Sequence, residues 1–176
     1  MSIPSKSIPI KRLHKLLDCD FSTGNLTWKF RPDERACWNT KHAGNVAGWS
    51  ENGYIAISID GATFKAHRVV WTMYHNKWPT DEIDHKDGVR NNNCINNLRS
   101  ATSAQNRCNR GAQKNNTLGL KGVTAYSTRH DGIHYVAKVN VNGVVHTNYG
   151  FSTREAAYAC YCKMAVKYHK EFAKTT

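Results

Sequence analysis

The chain of 176 residues is short of acid, of long apolar runs and of paired cysteines, and each shortage removes a class of explanation. Thirteen Asp and Glu stand against 25 Lys and Arg, which leaves a formal net charge of +12 and a pI near 9.6. A field of that sign attracts polyanions, nucleic acid first and a membrane surface second. No apolar run approaches the ~18 residues of a spanning helix, and the opening "MSIPSKSIPIKRLHKLL" lacks the continuous apolar stretch of a signal peptide. The expectation is a soluble chain that is not exported and has no membrane partner. Six cysteines are present, but their spacings follow no common disulfide framework and no C-x-x-C pair of a structural zinc site occurs. Reduced thiols are expected, with Cys94 and Cys108 as small buried side chains rather than zinc ligands.

The length suits one domain of usual size or two small ones. Charge is uneven along it: residues 107–176 hold eleven Lys or Arg and three Asp or Glu, so +8 of the +12 lies there. The N-terminal region reads as short strands and turns. "STGNLTWKF" carries a Gly-Asn turn ahead of a strand, and "GYIAISIDGATFKAH" is two strands around Asp60-Gly61, a strong hairpin signal. "HRVVWTMYHNKW" follows with Val69, Val70, Met73 and Tyr74 at helical spacing, stopped by Pro79. His67, Arg68 and Trp71 in it could touch DNA, although His and Trp at a strand-helix junction are more often partly buried.

Residues 82–106, "EIDHKDGVRNNNCINNLRSATSAQN", are polar almost throughout. Asn and Asp bond their own backbone and tolerate left-handed conformations, so the stretch favours a turn over core. A polar loop held by a scaffold is a usual place for chemistry. The order predicted is a strand around Ile83-Asp84-His85, a turn "KDGVRNNN", a return through Ile95 to Leu98, and a helix opened by a capping box of Thr102 and Gln105. Cutting a phosphodiester needs a base for water and positive charge at the phosphate and leaving oxygen; imidazole supplies the first, and a carboxylate-bound divalent ion the second. Asp84 and His85 provide one of each. Neighbours on a strand face opposite ways, so the strand must end or twist there, and something must fix the imidazole. An Asn amide from the returning strand suits that task. Asp87, Asn91 and Asn92 read as builders of the turn.

Residues 107–121, "RCNRGAQKNNTLGLK", show no periodic apolar face and read as a basic linker or an arm that orders on a partner. Beyond them "KGVTAYS", "IHYVAKVNV" and "VVHTNYG" are three strands, joined around Asp131-Gly132 and by the type I′ signal Asn142-Gly143. In the second, Tyr135, Ala137, Val139 and Val141 face one way and His134, Lys138 and Asn140 the other. "STREAAYACYCKMAVKYHKEFA" then opens with a Ser-x-x-Glu box at Ser152 and Glu155, and its stripe of Ala157, Tyr161, Met164, Ala165, Tyr168 and Phe172 is core.

Asp84-His85, Asn97 twelve residues after the His and Asn106 twenty-one after it resemble the HNH endonucleases, in the phage homing branch where Asn replaces the final His. "AHRVVW", "DHKDGVRNNN" and "NNLRSATSAQN" are similar to the same branch, over residues 66–106. The resemblance implies a ββα-metal fold, His85 as general base, Asn97 bracing the loop and His85, and Asp84 and Asn106 as metal ligands; Asn93 and Asn96 are nearby alternatives to Asn97, which sits in the "NLR" context. A carboxylate with an amide oxygen favours Mg2+ or Mn2+ over zinc. The C-terminal strands and helix, through "GVTAYS", "YVAKVNVNG" and "EAAYACYCKMA", resemble the APETALA/ethylene-response-factor DNA-binding domain, which lays its sheet in the major groove.

The combined expectation is an α+β protein. A β-rich region with the HNH core fills residues 1–110, a basic linker 111–120, and a three-stranded antiparallel sheet with one helix 121–176. The function expected is a metal-dependent, site-specific endonuclease acting as a monomer on double-stranded DNA, in the cytoplasm of a bacterial host if phage-encoded. Arg68, Arg99, Arg107, Arg110, Lys114, Lys121, Arg129, His134 and Lys138 are the candidate DNA contacts. The competing expectation is a non-catalytic DNA-binding regulator on a decayed HNH scaffold. An RNA-binding protein is weaker, because the aromatic platform motifs of single-strand binders are not seen.

Overall fold

Asp60 and Gly61 both take positive φ, +48° and +77°, and so close a two-residue hairpin of the hand that suits twisted strands. The computed structural model describes residues 7–113, 115–130 and 132–175. It separates into two units, one ending at Ala101 and one beginning at Thr102.

In the first unit the order is α1 (Ile10–Leu16), β1 (Leu17–Asp20), β2 (Asn25–Trp28), α2 (Ala36–His42), β3 (Trp49–Glu51), β4 (Tyr54–Ile59), β5 (Ala62–Lys65), α3 (Ala66–His75), β6 (Glu82–His85) and β7 (Leu98–Ala101). Strands β1 and β2 pair, as do β6 and β7, and β3-β4-β5 form an antiparallel sheet. Leu13, Leu16, Leu17 and Leu26 join Ile57, Ile59, Val69 and Val70 in one core, all nearly inaccessible. The helix α3 covers it with the expected Val69, Val70 and Met73, whereas Tyr74 is exposed and meets Phe21 edge-on. Its end comes earlier than Pro79, because Asn76 takes a left-handed conformation at φ +51° and turns the chain. The two short helices α1 and α2 had no clear signal in a region expected to hold strands and turns. Both lack a side-chain cap, and α2 buries only Asn39.

The second unit contains α4 (Ser103–Cys108), β8 (Val123–Thr128), β9 (Gly132–Val141), β10 (Val144–Phe151) and α5 (Arg154–His169). The α+β class and the three-stranded antiparallel sheet under one helix are as expected, with β9 central. Asn142 and Gly143 turn with φ of +51° and +89°. Ala137 and Val139 pack on Tyr161 and Ala165, while Met164 and Tyr168 lie at the edge of that core. Gly122 is required by contact: a Cβ there would stand 2.1 Å from the Tyr161 ring. The cap of α5 differs from expectation. Thr153, not Ser152, accepts from Ala156 N at 3.2 Å, and Glu155 pairs with its neighbour Arg154. All six cysteines are free thiols. Among the described residues no helix is long and apolar enough to cross a membrane.

Candidate active site

The strand β6 ends at His85, and its partner β7 begins at Leu98 directly opposite, so the polar loop between them is held at both ends by sheet pairing. Asp87 ties the loop together. Its Oδ1 accepts from Val89 N at 2.8 Å and Asn97 Nδ2 at 3.0 Å, and its Oδ2 from Asn92 Nδ2 at 2.7 Å. Burial alone would raise the Asp87 carboxyl, but those bonds together outweigh it and hold the group below the usual carboxylate range. The builder's role expected of Asp87 and Asn92 is therefore visible.

Asn97 belongs to the same tie. Its Nδ2 reaches both Asp87 and the Asn92 carbonyl, at 3.0 and 2.8 Å, and its Oδ1 accepts from Asp87 N. Both amide hydrogens are thereby committed to the loop. The amide that meets the imidazole is Asn93, whose Oδ1 lies 3.2 Å from His85 Nε2, with both residues buried. An amide oxygen only accepts, so Nε2 carries the hydrogen and Nδ1 is the basic nitrogen of the ring. The expectation placed Asn97 there through its "NLR" context; Asn93 was one of the alternatives left open.

Asp84 is also buried, and stands opposite Arg99 in the β6–β7 register. Arg99 Nε and Nη2 both reach Asp84 Oδ2, at 2.9 and 2.8 Å. The side chain of Arg99 is only 10% exposed, so the expected surface contact with DNA gives way to an internal ion pair. Arg68 is likewise occupied, donating to the carbonyls of Pro79 and Asp81. His67 lies edge-on to His85 with ring centroids 5.0 Å apart. Its Nδ1 is buried with no hydrogen-bond partner among the described residues. Burial first, then the neighbouring His85, Arg68 and Lys65, push His67 down to about 3. Tyr54 flanks both imidazoles, and Arg90 lies over its ring at 5.1 Å. Neither Tyr54 nor Arg90 was singled out by sequence, since one sits in an ordinary strand and the other in a loop.

Residues 64–108 match the HNH endonuclease family. The segment is an HNH endonuclease domain. The chain is also 34% identical over 125 residues to an uncharacterized HNH endonuclease of Acanthamoeba polyphaga mimivirus. That alignment takes in 70% of this chain and 62% of the relative's length. No solved structure matches the chain. The HNH segment runs from β5 through α4, whose capping box is present in full: Thr102 accepts from Gln105 N at 3.3 Å, and Gln105 Oε1 accepts from Thr102 N at 2.8 Å.

Among the described residues, no three His, Cys, Asp or Glu come together as a cage for an ion. A structural zinc site needs such a cage. The HNH segment instead offers the Asp84 carboxylate, and a hard ion such as Mg2+ is commonly held by one or two carboxylates, water and substrate phosphate. Asp84 is the carboxylate such an ion would use, and its Oδ2 is shared with Arg99. Asn106, the other expected ligand, stands on α4 in the second unit.

Of the remaining expected DNA contacts, Arg107, Arg110, Arg129 and Lys138 are exposed. His134 is half-buried beside Tyr126. Lys121 donates to the carbonyls of Cys108 and Arg110 and is driven down in pKa by burial, so it holds the chain after α4 in place. Lys114 and the turn residue Asp131 lie outside the described residues.

Proposed function

We propose that the protein is a site-specific DNA endonuclease of the homing kind, and that His85 is its general base. The observation that carries this reading is the bond from His85 Nε2–H to Asn93 Oδ1. It fixes the imidazole at the end of a strand that also carries Asp84, and an imidazole so placed can take a proton from an attacking water. A divalent ion such as Mg2+ or Mn2+, bound through Asp84, would supply positive charge for the phosphate and the leaving oxygen. Arg99 keeps the Asp84 carboxylate aligned across the strand pair, and Asp87 with Asn97 keeps the loop from shifting either residue.

The second unit is the module that selects the target in this reading, in the manner of an APETALA/ethylene-response-factor domain. What supports it is the outer face of its sheet. Tyr126, His134, Lys138, Asn140 and Val145 fall on the side away from α5 by their register, and most of them are exposed. The test is incubation of the full chain with supercoiled plasmid carrying candidate targets, with Mg2+, Mn2+ or EDTA. Nicked or linear product that depends on the ion and disappears in His85→Ala is expected. DNA binding with no cleavage under any ion would sink the nuclease reading in favour of a regulator on the same scaffold.

A further inference from the structure

Gly24 sits at the end of the turn between β1 and β2, sixty-one residues before His85, and nothing in its sequence context marks it as part of a site. Its φ is +75°, and a Cβ built on it would lie 2.1 Å from the Asn93 carbonyl carbon, 2.2 Å from the oxygen and 2.6 Å from the Asn93 Cβ. Two backbones therefore touch at the residue that holds His85. A hydrogen bond beside it fastens the two segments: Ile95 N donates to Phe21 O at 3.0 Å. The turn itself is firmly built. Gly24 N donates to Asp20 O at 2.7 Å, and the Asp20 carboxylate accepts from Ser22 N, Ser22 Oγ and Thr23 Oγ1. The consequence for Asn93 is geometric. Its main chain is pressed from one side by the Gly24 turn while its side chain reaches His85, so a displacement of the turn becomes a displacement of the amide.

We infer that the β1–β2 turn, through the bare Cα of Gly24, is a positioning element that sets Asn93 and thereby fixes the His85 ring in its Nε2–H form. The role of His85 in cleavage rests on the function proposed above, but the positioning itself does not.

A matched pair of substitutions tests it. Gly24 and Gly61 have almost the same φ, +75° and +77°, yet a Cβ at Gly61 meets nothing within 4 Å. Alanine at either position brings the same backbone strain, and at Gly24 alone it brings a collision with Asn93. On plasmid nicking with Mg2+, Gly24→Ala should lower kcat by about 10²-fold with KM little changed, the scale expected for a group misplaced by about 1 Å. Gly61→Ala should stay within about twofold in kcat. Nitrogen-15 NMR of the His85 ring, above the pH at which imidazole is charged, should show a single Nε2–H tautomer in the wild type and Gly61→Ala, and a mixture in Gly24→Ala. Should Gly24→Ala not fold, Asp20→Ala decides instead, because it loosens the exposed turn without adding an atom. It should give a partial tautomer mixture and a kcat lowered about threefold, a small fraction of the misplacement penalty. An unmixed tautomer in whichever of the two variants folds overturns the inference, whatever the activity. A mixed tautomer in a protein whose wild type never cuts DNA would uphold the positioning and remove the nuclease reading.

Discussion

At His85 and its neighbours the buried contacts assign different work to residues that look alike in sequence. If the ring takes a proton from water, His85→Ala should lower cleavage by roughly 10²- to 10⁴-fold and leave DNA affinity intact, as measured by single-turnover nicking beside a binding titration. Near-wild-type cutting would remove the role. Asn93 and Asn97 separate in the same experiment. Asn93→Ala frees the tautomer and should lower kcat by about 10²-fold. Asn97→Ala removes three bonds from the Asp87 loop and should first lower the unfolding free energy, by about 1–3 kcal/mol. That division could not be read from sequence, where six asparagines fall within sixteen residues and spacing alone does not say which amide turns inward. What could be read was the Asp-His pair and the builder's role of Asp87, because a carboxylate two residues before a main-chain N–H caps a turn by local geometry.

His67 adds a pH dependence at the same scale. Its native pKa of about 3 lies below the ordinary value of 6.5, so the native state refuses a proton that the unfolded chain accepts. Above pH ~6.5 both states are neutral and the residue costs nothing. As pH falls below that value stability is lost, with a slope approaching about 1.4 kcal/mol per pH unit until the native pKa is reached. His67→Phe should flatten the fall between pH 6.5 and 5, above the range where carboxylates titrate, as followed by urea unfolding at each pH. Identical slopes in wild type and variant would mean that His67 is hydrated or partnered in solution.

Among the elements, those with a local signal were legible and those fixed by tertiary contact were not. Asp60-Gly61 and Asn142-Gly143 stand where the hairpins turn, since both demand positive φ at two successive residues. Thr102 with Gln105 caps α4 as its spacing requires. The helices α1 and α2 carry no cap, and only packing shows them. The start of α5 shows how a motif misleads by one step: Ser152 and Thr153 can each cap, and Ser152 has the Glu three residues on. The chain uses Thr153 because its extended conformation puts Oγ1 on Ala156 N. Thr153→Ala should therefore cost about 0.5–2 kcal/mol of stability and Ser152→Ala much less, by thermal unfolding of the full chain. A larger loss at Ser152 would restore the box read from sequence.

At the scale of the whole molecule, the surplus positive charge divides into cations spent inside the protein and cations left for solvent, and only structure makes the division. Arg68, Arg99 and Lys121 donate to carbonyls or a buried carboxylate, whereas Arg107, Arg110, Arg129 and Lys138 are exposed. Sequence gives each of the seven the same formal charge and so the same claim on DNA. Salt separates them. Each phosphate neutralised on duplex DNA releases counterions and steepens the fall of log binding constant with log salt by about 0.9. Replacing Arg107, Arg110, Arg129 and Lys138 together by alanine should therefore flatten the slope by up to about 3.6, if all four meet phosphate. Lys121→Met should leave the slope unchanged and lower stability instead, because its ammonium is occupied by two carbonyls near the end of α4. A base contact among the four would show as a loss larger on the target than on unrelated duplex, by about 1–3 kcal/mol. Filter binding across a salt series, on target and non-target DNA, measures all three quantities at once. An unaltered slope in the quadruple variant would take the exposed cations of the second unit off the DNA, and a flattened slope in Lys121→Met would mean that its carbonyl contacts open when DNA binds.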